Sequence, residues 1–193
     1  MTSHSTELAP SRHQGREEAH LLVVGFGNPV AGDDSVGVEI LRRLRHGGNC
    51  ACRLLTIPNA GIELLDTFRV ADIILFVDAV SSGAPPGTLH LIPLPSQKLE
   101  LRKLSSVSSH GWGLVETLEL ARALGHTVPR LLLLGVEVRG VEPGAPRSPD
   151  VERAIVRVAN QFPHLLSLLA DSKSSLWHSP YHFLPGQVFF PER

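Results

Sequence analysis

Asp34, Asp78 and His110 are the side chains whose types and places in the chain suggest chemistry. Asp34 follows Asp33 in "GFGNPVAGDDSVG", a glycine-rich turn between an apolar run and a helical pattern. Asp78 is the single acid near the end of "ADIILFVDAV", where it interrupts an apolar run that extends from Ile73 to Val80. His110 lies in "SSVSSHGWGL", a Ser- and Gly-rich loop ahead of another helical pattern. In open α/β sheets ligands bind beyond the C-terminal ends of the strands, where Asp34 and Asp78 fall if their strands are neighbours. Two carboxylates and an imidazole form an oxygen, oxygen, nitrogen set suited to nickel, zinc or manganese, with water or substrate completing the shell. Plainer roles compete at each position. Asp33 or Asp34 can cap the following helix, since Asp is a favoured N-cap and the helix dipole stabilises acids in the first turn. Asp78 can be a buried acid accepting hydrogen bonds from helix N-termini, and His110 an ordinary loop residue before a helix.

Other chemistries fit poorly. A dinucleotide turn needs G-x-G-x-x-G; Gly25 and Gly27 match its first two glycines, but Val30 occupies the third place. Asp33 and Asp34 would also repel a pyrophosphate docked there. There is no G-K-[ST] for a P-loop, no G-x-S-x-G elbow and no H-E-x-x-H helix. Cys50 and Cys52 stand one residue apart, which is not redox or metal spacing, and read as reduced thiols beside a strand. Glu137 ends the last apolar run and reads as an acid on the rim of a cleft or a solvated strand-end acid. His46, His126 and His164 read as surface residues near helix ends.

The elements that must position these residues alternate in type. Short apolar runs are followed by helical periodicities, the pattern of βαβ units and a mainly parallel sheet. Strands are expected at "LLVVGFG" from Leu21, at "CRLLTI", at Ala71 to Val80, at "GTLHLIPL" and at "RLLLLGVEV". The fourth belongs at a sheet edge, because Pro93 and Pro95 cannot donate to a ladder. Helices are expected from Asp33 to Arg45, through "AGIELLDTF", around Leu114, Leu118 and Ala121 as far as Gly125, and from Pro149 to Ala170. Pro163 should kink or split the last of these. The segment from Ser96 to Ser109 reads as a polar loop.

With 193 residues, 42% apolar and 19% charged, the chain suits one compact domain. A net charge of -1 with scattered basic residues gives no field for nucleic acid or an anionic membrane, so neither is expected as a partner. The polar first twenty residues and the lack of a long apolar run point to a cytoplasmic setting. Residues 1–20 are expected to be a disordered tail, 21–170 the domain, and 171–193 a tail of undecided structure.

Five blocks, in order, resemble the hydrogenase maturation proteases, endopeptidases that trim the C-terminus of nickel-iron hydrogenase large subunits. They are "GFGNPVAGDDSVG", "AGIELL", "VDAVSSGAPPGT", "SSHGWGLVETLELARALG" and "LLLLGVEV", and the resemblance runs from about Leu21 to Leu169. It implies a three-layer α/β sandwich, a twisted, mainly parallel sheet with helices on both faces. It carries the family's catalytic and metal-binding residues onto Asp34, Asp78 and His110. It further implies that the partner is the precursor of a hydrogenase large subunit and that the nickel is supplied by that substrate, with zinc or another divalent cation as the alternative. A non-catalytic chaperone that checks for nickel in the loaded subunit would use the same residues. One departure stands out: where many members carry D-G-G-T, this chain has Thr56, Ile57, Pro58 and Asn59.

Overall fold

The computed structural model describes residues 20–48, 52–58, 61, 63–94 and 111–170. The two expected tails, the loop from Ser96 to Ser109, His110, Cys50 and Asn59 lie outside the described residues, apart from His20 at the edge of the first. Five strands form one sheet: β1 (Leu21–Gly25), β2 (Arg53–Thr56), β3 (Ile73–Val80), β4 (Leu89–Pro93) and β5 (Arg130–Glu137), in the order β2-β1-β3-β5-β4. All neighbours are parallel except β4, which runs antiparallel to β5 at the edge where its proline is tolerated. Among the described residues four helices accompany them: α1 (Val36–Gly47), α2 (Glu63–Phe68), α3 (Gly111–Ala123) and α4 (Pro149–Ala170).

Strand alternation divides the core into two layers. Val23, Ile73, Leu75, Val77, Leu132, Leu134 and Val136 pack with α1 and α4 on one face. Leu22, Val24, Ile74, Phe76, Val80, Leu131 and Leu133 pack with α2 and α3 on the other. Helices on both faces of a mostly parallel sheet are the three-layer arrangement expected from the sequence. β3 is buried along its whole length, which is why its sequence is continuously apolar instead of alternating.

β1 sends the chain through α1 to β2, while β3, pairing with β1 from the other side, sends it toward β4. The C-terminal ends of β1 and β3 therefore form the switch point at which such sheets open a crevice. Gly37 makes this corner compact. A Cβ there would lie 2.3 Å from both the Phe26 and Val77 carbonyl oxygens, so α1 begins in direct backbone contact with the ends of β1 and β3. Gly27 has φ of +133° and sits where a Cβ would come within 2.0 Å of the Asp34 carbonyl oxygen. No side chain fits that position, and the turn closes onto the acid pair.

Three local expectations are corrected. The first helix opens with a 3-10 turn (Gly32–Ser35) and not directly at Asp33, and neither Asp33 nor Asp34 caps it by a side-chain hydrogen bond. α4 runs through Pro163 without splitting; Phe162, Leu165 and Leu169 anchor both sides of the proline in the core while its ring faces solvent. Cys52 is disulfide-bonded, so the expectation of a reduced thiol fails there. α3 ends as expected: Gly125 has φ of +73°, with the Gly125 and His126 amides donating to the Arg122 and Ala121 carbonyls.

Candidate active site

Asp34 and Asp78 are both placed at the C-terminal ends of neighbouring strands. Asp34 sits in the 3-10 turn that leaves β1, and this turn packs against β3. The Phe26 amide donates to the Val77 carbonyl at 2.9 Å, extending the β1–β3 ladder to the residue before Asp78. Asp78 has the alternation of Ile74, Phe76 and Val80 and so faces the α2–α3 side.

Both acids are buried, Asp34 with 7% exposure and Asp78 with none. Asp78 accepts a hydrogen bond from the Ala79 amide on Oδ1 at 2.8 Å. Asp34 accepts from the Asn28 amide on Oδ2 at 3.1 Å, whereas its Oδ1 is shielded from solvent and has no hydrogen-bond partner among the described residues. A buried carboxylate oxygen left in this state costs free energy unless another group completes it. A divalent cation is such a group, and a second carboxylate at the same corner of the sheet suits one. His110 lies outside the described residues, immediately before α3. Among the described residues no three His, Cys, Asp or Glu side chains gather into a metal-binding group.

Asp33 has a different role from capping. Its Oδ1 accepts from the Ser148 amide at 2.6 Å and its Oδ2 from the Arg139 amide at 3.3 Å, so it binds both ends of the segment joining β5 to α4. Glu137 is neither a rim residue nor solvated; it is 1% exposed. Its Oε1 accepts from the Ser82 and Gly83 amides at 2.7 and 2.9 Å, and its Oε2 from the Ser82 hydroxyl at 2.8 Å. The His90 Nε2 lies 3.1 Å from Oε2. This cluster holds the loop that follows Asp78 and ties in the edge strand β4. Sequence reasoning missed it, although a lone histidine in the apolar β4, paired in register with Gly135, was a usable signal.

Two of the residues that depart from D-G-G-T, Thr56 and Ile57, have structural duties here. Thr56 ends β2 opposite Gly25, and its hydroxyl accepts from Arg45 at 3.1 Å. The Ile57 amide continues the ladder to the Gly25 carbonyl at 3.1 Å, and its side chain is buried.

The family model for hydrogenase maturation proteases matches residues 54–163, from within β2 into α4. The hydrogenase 2 maturation protease of Escherichia coli is 31% identical over 155 residues, covering 79% of this chain and 92% of that protein. The chain belongs to the hydrogenase maturation protease family. The hydrogenase expression/formation protein HupD of Thiocapsa roseopersicina is 35% identical over 124 residues, but the chain spans only 56% of its length. Among solved structures, the hydrogenase maturating endopeptidase HybD from E. coli superposes with a TM-score of 0.64 at 27% identity, over 77% of this chain and 92% of that one. Membership makes the chain a protease of hydrogenase maturation and disfavours the non-catalytic chaperone. Among the described residues no helix is long and apolar enough to cross a membrane.

Proposed function

We propose that this protein is a cytoplasmic endopeptidase that removes a C-terminal peptide from the precursor of a nickel-iron hydrogenase large subunit after nickel has been inserted. The observation that carries the nickel dependence is the buried Oδ1 of Asp34, without a partner among the described residues, at the same corner of the sheet as Asp78. In a member of this family, that oxygen is an open ligand position. Asp34, Asp78 and His110 would hold the metal, with nickel arriving as part of the substrate and zinc or another divalent cation as the alternative. A metal held there would polarise the scissile carbonyl or lower the pKa of a bound water.

The chain's own residues contribute orientation and exclusion of water. The Asn28 amide fixes one oxygen of Asp34 and leaves the other available, while the Ala79 amide fixes the Asp78 carboxylate at the end of a rigid strand. Both acids are almost free of bulk water, which strengthens their attraction for a cation.

The test is intact mass spectrometry of a nickel-loaded precursor incubated with wild type, Asp34→Asn or Asp78→Asn. Wild type should release a C-terminal peptide, and each variant should slow release at least about 100-fold, since a missing ligand removes a position no neighbour can supply. Equal cleavage of nickel-loaded and nickel-free precursor would refute the metal dependence. Binding without any loss of mass would return the chaperone reading.

A further inference from the structure

We propose that Asp33 is a positioning residue for the same site, latching the segment 138–148 across the turn that presents Asp34. The inference rests on the proposed role of Asp34. The two neighbouring acids are both buried but are satisfied in opposite ways. Asp33 spends both oxygens on backbone amides more than a hundred residues away, at Arg139 and Ser148. Asp34 keeps one oxygen with no partner among the described residues. A 3-10 turn rotates successive residues by about 120°, so side chains at adjacent positions diverge and can serve two different structures.

The latch is reinforced on either side of Asp33. The Gly144 amide donates to the Val30 carbonyl at 3.0 Å, and Gly32 lies against Ala145, where a Cβ would come within 3.0 Å of the Ala145 carbonyl oxygen. The Ser35 hydroxyl donates to the Gly32 carbonyl at 2.6 Å, tightening the turn from within. The segment is thus fastened to residues 30, 32 and 33 on one side, and it runs from the end of β5 to the start of α4. Both of those elements are held in the core, so the latch transmits their rigidity to the turn. Asp34 is the next residue along that turn.

A carboxylate suits this job because both of its oxygens only accept. An asparagine at position 33 would keep one amide bond and turn an N–H toward the other amide hydrogen. Asp33→Asn should raise backbone hydrogen exchange across residues 138–148 and lower kcat for precursor processing about tenfold, in the range seen when partners of ligating residues are removed, with KM changed less than about threefold. Hydrogen exchange is read on the free full-length protein, without metal or substrate. Unchanged exchange in 138–148 would overturn the latch. Increased exchange with unchanged kcat would overturn the positioning role and leave Asp33 a structural acid. Gly32→Ala presses on the same contact without touching a carboxylate. It should give the same paired signature, and it decides the matter if Asp33→Asn does not fold. Asp34→Asn is run in parallel: full processing by that variant would refute the site itself, which separates failure of the site from failure of the latch.

Discussion

Replacing Glu137 by leucine removes the one acceptor that serves four donors around the loop after Asp78. The Ser82 and Gly83 amides, the Ser82 hydroxyl and the His90 imidazole all converge on this carboxylate, at 2.7 to 3.1 Å. Each buried donor left without a partner costs about 1–3 kcal/mol. Gly83 is exposed and Ser82 half-buried, so water can replace part of what they lose, while His90 is buried and cannot be hydrated without opening β4. The expected destabilisation for Glu137→Leu is about 3 kcal/mol, or roughly 6–12 °C in melting temperature for a protein of this size. Glu137→Gln keeps a carbonyl oxygen for the two amides and places an NH2 group toward Ser82 and His90. The hydroxyl can rotate to accept from it, so the cost falls to about 1 kcal/mol. Urea unfolding of the three proteins, with a common m value, gives both differences. A leucine variant within about 1 kcal/mol of wild type, or a glutamine variant as unstable as the leucine one, would refute the reasoning.

Gly37→Ala tests the corner where α1 meets the strand ends. Alanine is the better helix former by about 1 kcal/mol, so a local view expects a more stable protein. The added Cβ, 2.3 Å from two backbone carbonyl oxygens, should instead cost on the order of 3 kcal/mol and lower the urea midpoint; a raised midpoint would overturn the packing argument. Glu39 provides a pH prediction. Its hydrogen bonds from Arg42, with the charges of Arg42 and Arg147 beside it, hold its carboxyl down at about 2, below the ordinary glutamate value of 4.5. A lowered folded-state value means that the stabilisation is complete above the unfolded value and is lost as pH falls from 4.5 toward 2. The Arg42 side chain is 53% exposed, so screening limits the effect to about 1 kcal/mol. The stability difference between wild type and Glu39→Gln should be constant at neutral pH and vanish in acid. A difference that widens below pH 4.5 would contradict this assignment.

The sequence by itself determined the alternation of strands and helices and put Asp34 and Asp78 at the C-terminal ends of two strands, whereas the pairing of β1 with β3, which makes those ends one corner, was decided by the tertiary structure. Periodicity is a local property, and an uninterrupted apolar run such as Ile73 to Val80 can be stable only between two covering layers. Gly25 and Gly27 marked a tight turn in the sequence, and the acid pair beside them was visible with it, whereas the need for glycine at position 37 emerged only from the packing of α1 on the strand ends. Tertiary structure alone decided which acid does what. Asp33 and Asp34 are chemically identical neighbours; only a chain segment more than a hundred residues away, arriving with the Arg139 and Ser148 amides, distinguishes the latch from the acid with a free oxygen. Glu137 was misread because its burial depends on the antiparallel β4 folding back beside β5, a long-range pairing with no local signature beyond His90. Pro163 broke a local rule without splitting its helix, since the buried residues flanking it outweigh one lost backbone hydrogen bond. Sequence pattern reports what a segment needs from its surroundings, whereas the partner that meets the need is fixed only when distant segments pack together.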